Sequence, residues 1–144
     1  MSAYILVGYD GSEASRRAVD FAAARAKDTG NHLLIVHIIE WSPYSLLTVD
    51  ELEQRHKRRK EEVQRAENDL LKPLVDQLSA SGFQVKAEVR YGHTVSLMTE
   101  LVKEYSAQEI IVGRRGQSTM QTMLFGSISA SLVQVAEVPV TVVP

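Results

Sequence analysis

Short apolar runs alternate along this chain with longer stretches in which apolar residues recur at helical spacing. Tyr4-Ile5-Leu6-Val7-Gly8 is the first run, and Asp10-Gly11-Ser12 follows as a turn. Ser12 is placed to cap a helix carrying Ala14, Ala18, Val19, Phe21, Ala22 and Arg25, which Gly30 closes. Residues 33–39 read as a buried strand, and a loop follows from Trp41-Ser42-Pro43. Thr48-Val49-Asp50-Glu51 then matches a capping box at the head of a long polar helix reaching Ser81, with Gly82 as its stop. Pro73 inside that helix predicts a kink, or a break near Lys72. Residues 83–89 alternate with period two, as a half-exposed strand does. A helix over residues 94–105 carries Val95, Met98, Leu101 and Val102 on one stripe. A strand over 109–112, a helix over 127–136 and a strand over 138–143 complete the series.

Five short strands separated by helices make an α/β open sheet, mainly parallel, with helices on both faces. Ligands of such sheets sit outside the carboxyl ends of the strands, at the topological switch point. Asp10 ends the first strand and Gly113 ends the fourth, so both are expected on one rim. Pro139 lacks a ladder donor and places the last strand at an edge. An edge this apolar invites pairing with the strand 138–143 of a second copy across a two-fold axis, the alternative being a loop or helix that covers it.

Composition narrows the picture. The chain has 144 residues, 44% of them hydrophobic and 24% charged, as in one soluble domain spanning 1–144. A net charge of -2 gives no overall pull toward nucleic acid or anionic membrane. Cysteine is absent, which removes disulfides and thiolate chemistry. No apolar run approaches the roughly 20 residues of a membrane span, and the start lacks the marks of a secretory leader. A cytoplasmic protein is therefore expected. The charged stretch 51–67 interleaves arginine and lysine with glutamate and has no aromatics, so it reads as a solvated helix face rather than a nucleic-acid surface. His32 and His56 read as surface residues, His37 as a satisfied core or rim histidine rather than a ligand, and His93 as a helix cap. No histidine has metal-ligand spacing with another.

The chemistry concentrates near the C-terminus. Gly113-Arg114-Arg115-Gly116 follows the fourth strand, and Gly126-Ser127-Ile128-Ser129 comes after nine intervening residues. Glycines after a buried strand let backbone approach a ligand and aim amides at it, and a helix start offers free N–H groups and a positive dipole end. That combination suits phosphate, although the same residues also serve a tight strand-to-helix turn. The spacing is neither a Walker A sequence nor G-x-G-x-x-G. Asp10 is either a turn residue or a carboxylate accepting from ribose hydroxyls or an adenine amine. Of the two arginines, Arg115 is favoured by register for phosphate contact. Trp41, Tyr44, Leu46 and Leu47 form an apolar loop that flanks either a nucleotide or a partner.

Taken in order, these signals resemble the universal stress protein family over nearly all of the chain. The resemblance rests on residues 5–12, Leu34-Ile35-Val36-His37-Ile38, Tyr91-Gly92-His93, the closing V-P-V-x-V-V strand and, above all, G-x-x-G-x9-G-[S/T] at residues 113–127. It implies an adenine-nucleotide α-hydrolase-like sheet in the order 3-2-1-4-5, dimerising through strand five, with ATP in the cleft between strands one and four. Asp10 and Tyr9 would then contact the adenosine moiety and Ile38 would offer backbone groups to adenine. Val112, Gly113, Arg115 and Gly116 would begin the ribose and phosphate cradle, and Gly126, Ser127, Ile128 and Ser129 would hold the phosphates. AMP or ADP fits the same amides, and Mg²⁺ would bind through the phosphates, since it needs few protein ligands. Many relatives have a small residue where Arg114 stands; the paired arginines either strengthen phosphate contact or close part of the pocket. The expected activity is that of a dimeric nucleotide-dependent stress-response module acting on a protein partner, because neither a Walker lysine nor a Ser-His-Asp signature accompanies the cradle. Alternatives are a slow Mg²⁺-dependent ATPase and an oligomerisation module without nucleotide. A phospho-acceptor receiver fits less well, for Asp10 stands without further acidic neighbours.

Overall fold

Ile5, Leu6 and Val7 and the run Leu33, Leu34, Ile35 and Val36 have no exposed surface at all. Burial on both sides requires covered faces above and below the sheet, which only crossover helices supply. The computed structural model describes residues 2–40, 48–115 and 126–144. Its elements are β1 (Tyr4–Gly8), α1 (Glu13–Thr29), β2 (His32–Glu40), α2 (Val49–Arg65), a π-helical segment (Ala66–Leu71), α3 (Lys72–Ala80), β3 (Val85–Gly92), α4 (Thr94–Tyr105), β4 (Glu109–Gly113), α5 (Ser127–Val135) and β5 (Val140–Val143). All neighbouring strands pair parallel, in the order β3-β2-β1-β4-β5.

Alternation along the strands divides the core in two. Ile5, Val7, Leu33, Ile35 and Ile111 pack against Ala18, Val19 and Ala22 of α1 and against Leu71, Leu74 and Leu78. Leu6, Leu34, Val36, Ile110 and Val112 face the other way, onto Met98 and Leu101 of α4 and Leu132 of α5. The helix starts obey the expected chemistry. Ser12 caps α1 by accepting from Ser15 N, Gly30 closes it in the left-handed conformation, and Thr48 and Glu51 form the reciprocal capping box of α2.

Other boundaries differ from expectation. Near Pro73 the expected break takes the form of a widened ladder: α2 gives way to the π-helical segment, Lys72 N–H donates to Glu67 O, five residues back, and α3 opens at Lys72. The π-helical segment delivers Pro73 to the first turn of α3, where its missing donor leaves no gap. β3 begins at Val85 and runs to Gly92, because the amide of Phe83 is used to close α3 on Leu78 O, at 3.1 Å. β5 is Val140–Val143, shorter than the expected 138–143, although the carbonyl of Pro139 still accepts from Ile110 N at 2.9 Å. His93 occupies the N-cap position of α4 without a side-chain capping bond.

Two local arrangements bear on stability. A Cβ on Gly113 would lie 2.9 Å from the carbonyl carbon and 3.0 Å from the carbonyl oxygen of Ala14, so glycine is what lets the first turn of α1 close onto the end of β4. On the edge strand β3, the Tyr105 hydroxyl donates to the Glu88 carboxylate, which also pairs with Arg90 at 3.2 Å. That hydrogen bond, with burial and the charges of Glu88 and Glu104, raises the phenol from its ordinary 10.0 to about 12, while Arg90 opposes the shift.

Gly113→Ala is expected to destabilise the chain by about 1–3 kcal/mol, since the obstructing atoms are backbone and cannot rotate away; urea unfolding measures this. The phenol gives a pH signature. Between pH 10.0 and about 12 the folded chain keeps a Tyr105 proton that the unfolded chain has released, so stability falls as pH rises through that window. Thermal melts of Tyr105→Phe against the parent should show a shallower decline there, and parallel curves would dismiss the assignment.

Candidate functional site

α1, which follows β1, packs on one face of the sheet and α5, which follows β4, on the other, and a cleft of about 440 Å³ opens at the carboxyl ends of the two strands. Gly8, Tyr9 and Asp10 come to it from β1, and Val36, His37, Ile38 and Glu40 from β2. Val112, Gly113, Arg114 and Arg115 arrive from β4, Gly126 to Ser129 from the start of α5, and Thr94 and Met98 from α4. Thus Tyr9, Asp10, Ile38, Val112, Gly113, Arg115, Gly126, Ser127, Ile128 and Ser129, singled out from the sequence, line one cavity. Gly116 lies outside the described residues, as do Trp41, Tyr44, Leu46 and Leu47.

Asp10 has a definite local task. Its Oδ1 accepts from Ser12 N at 2.9 Å, and its own amide donates to Ser15 Oγ at 3.3 Å. Gly11 between them has φ 82°, a conformation that glycine adopts without strain. The turn reading of Asp10 is therefore correct, and it coexists with the rim position: the same bonds hold the carboxylate at the mouth of the cleft. Tyr9 is anchored from both sides, its N–H on Val36 O and its carbonyl on His37 Nδ1, each at 2.8 Å. Because a carbonyl only accepts, Nδ1 carries the proton and His37 is the satisfied rim histidine expected of it.

The start of α5 is fastened to the end of β4 through one carbonyl. Arg114 O accepts from Gly126 N at 2.7 Å and from Ser129 Oγ at 3.1 Å, and Ser129 Oγ lies at the same 3.1 Å from Gly126 O. Ser129 is 2% exposed. Its hydroxyl proton is spent on carbonyls, so what Ser129 offers the cleft is its amide. The first intrahelical bond is Ala130 N to Gly126 O, at 3.1 Å, which leaves the amides of Ser127, Ile128 and Ser129 outside the α5 ladder. Those three groups, at the positive end of the helix dipole, suit an anion. Arg114 and Arg115 stand beside them, and the Nε of each is sealed from solvent without a hydrogen-bond partner.

Sequence reasoning missed Glu40, Thr94 and Met98. Glu40 ends β2 on the same rim, so the strand-end argument that selected Asp10 could have selected it too. Its Oε1 accepts from Thr94 Oγ1 at 2.9 Å, joining β2 to the start of α4. Met98 approaches the cleft floor closely enough that a Cβ on Gly8 would lie 2.8 Å from its Cε. No local pattern announces that contact. Among the described residues, no three His, Asp or Glu side chains gather as a metal site. None of their helices is long and apolar enough to cross a membrane.

The fold recurs in solved structures. The hypothetical protein MJ0577 superposes with a TM-score of 0.84 at 20% identity, covering 99% of this chain and 96% of that one. A universal stress protein in complex with cAMP gives 0.69 at 24% identity, with 99% and 96% covered. The universal stress protein from Archaeoglobus fulgidus in complex with dAMP gives 0.63 at 17%, with 100% and 98% covered. In sequence, a universal stress protein of Mycolicibacterium smegmatis is 31% identical over 146 residues, 96% of this chain. This chain spans about half the length of that mycobacterial relative, 47%. Universal stress protein YxiE of Bacillus subtilis is 27% identical, with 96% of this chain and 97% of the relative covered. The universal stress protein family as a whole matches residues 1–144, and with the sheet order and the G-x-x-G-x9-G-S spacing in agreement, the chain belongs to that family.

Proposed function

We propose that residues 1–144 act as one nucleotide-binding domain, taking an adenine nucleotide, ATP by its motif, into the cleft at the ends of β1 and β4. The observation that carries this reading is the convergence of Asp10, Gly113, the two arginines and the first-turn residues of α5, whose amides lie outside its ladder, on one cavity of about 440 Å³, a size suited to such a ligand. Structural neighbours solved in complex with cAMP and dAMP support the adenine preference. Asp10 and Ile38 orient the base and sugar, and the amides of Ser127, Ile128 and Ser129 take the phosphates. Mg²⁺ enters through the phosphates, since it needs few protein ligands. The domain works in the cytoplasm as a nucleotide-dependent stress-response module, presenting a surface to a protein partner that differs with occupancy.

A homodimer through β5 is part of the proposal. The bonds from Ile110 N to Pro139 O and from Arg114 N to Val143 O show that odd-numbered residues of β5 face β4. Val140 and Val142 therefore turn their amides and carbonyls to the outer edge, where a second copy can pair with them. Val133 and Val135, exposed at 56% and 55% at the end of α5, supply apolar surface nearby.

Calorimetric titration at millimolar ATP should show heat and a matching rise in melting temperature; the lack of both would defeat nucleotide binding. Ser127→Pro is a sharp probe, because proline is tolerated at the first helical position and deletes one amide. ATP affinity is expected to drop by about tenfold or more, the worth of a hydrogen bond to a charged group. Light scattering on the intact chain should return a dimer. Val142→Pro, which removes an outward donor only, should yield monomer that still binds ATP. A parent chain that stays monomeric at high concentration would refute the β5 interface.

A further inference from the structure

Resting on the nucleotide reading, we infer that Arg114 and Arg115 grade adenine nucleotides by phosphate charge, with Arg114 as the residue that sets selectivity for the triphosphate. Both guanidinium groups keep an Nε buried and without an acceptor, and neither takes part in an ion pair among the described residues. A buried cationic donor left without an acceptor is costly, and an added phosphate oxygen removes that cost. Arg16 and Arg90 by contrast lie within 3.5 Å of carboxylates, and Arg25 Nε, likewise buried without a hydrogen bond, still has Glu109 Oε1 at 3.0 Å as its counter-charge.

Arg114 is also the better anchored of the two. Its N–H donates to Val143 O at 2.7 Å, and its carbonyl holds Gly126 N and Ser129 Oγ. The base of its side chain is thereby fixed at the junction of β4, β5 and the first turn of α5, with ordering entropy already spent on folding. Among the described residues, the backbone of Arg115 makes no hydrogen bond of that kind.

Charge across the cleft is polarised along the strand order. Glu40 ends β2 and Asp10 follows β1, while both arginines follow β4. Neighbouring strands are about 4.8 Å apart, so the acidic rim at β2 and the basic rim at β4 are separated by roughly 10 Å. A ligand neutral at one end and multiply anionic at the other matches that field. AMP and cAMP carry less charge to the basic side than ADP, and ADP less than ATP, so affinity should climb with phosphate number.

The test is titration of the intact chain with ATP, ADP, AMP and cAMP at fixed salt, repeated on Arg114→Ala, Arg115→Ala, Arg114→Lys and the double alanine variant. The parent should bind ATP about tenfold or more tightly than AMP, the scale of one charge-assisted contact. That ratio should fall toward one in Arg114→Ala and the double variant, fall less in Arg115→Ala, and survive in large part in Arg114→Lys, which keeps the charge. Melting curves identify any variant that has lost its fold, and Arg114→Lys then carries the comparison against Arg115→Ala. A parent that binds AMP and cAMP as tightly as ATP, or an Arg114→Ala chain with its ratio intact, overturns the inference and leaves the cleft reading standing. A parent that binds none of the four overturns both.

Discussion

β1 is paired on both sides, and the cleft exists because of it. With β2 on one flank and β4 on the other, the chain leaves β1 toward α1 on one face, while α4 and α5 occupy the opposite face. The connections therefore part at the carboxyl end, leaving a hollow that no side chain of the core fills. Complete burial of Ile5, Leu6 and Val7 fixes the register of that central strand, since a shift of one residue would exchange the two faces. Asp10 and the arginines inherit their positions from this pairing.

A second constraint holds the rim in shape. The carbonyl of Arg114 gathers the Gly126 amide and the Ser129 hydroxyl, tying the start of the last helix to the end of the fourth strand. Gly113 admits the first turn of α1 from the other side. Groups that look like ligand contacts in sequence thus divide into two kinds. Gly126 N–H and the Ser129 hydroxyl are consumed in building the frame, while the amides of Ser127, Ile128 and Ser129 stay outside the α5 ladder in residues that line the cleft.

The periphery follows different rules. α2 buries none of its residues and is held by its capping box and by the π-helical segment that follows, with Arg59 stacked over Tyr91 at 4.9 Å from the ring centroid. Its alternating charges are those of a solvated face. The π-helical segment reconciles two demands, a proline that cannot donate and a row of Leu71, Leu74 and Leu78 that must reach the core.

Much of this was legible in the residues themselves. Buried parallel strands must be continuous apolar runs, and helix ends need hydroxyls, carboxylates and glycine, so the order of elements, the caps at Ser12, Thr48 and Gly30 and the shared rim of Asp10 and Gly113 could be read directly. Local chemistry and period-two burial are written one residue at a time. Contacts between segments far apart in sequence are not: Glu40 with Thr94, Met98 beneath Gly8, Ala14 against Gly113, and the proton of Ser129 turned toward Arg114 depend on how helices settle on the sheet. The sequence by itself determined which residues are chemically suited to an anion; only the tertiary structure decided which of their groups are already spent on the frame, because every polar group near a packed junction bonds first to whatever neighbour folding brings within reach.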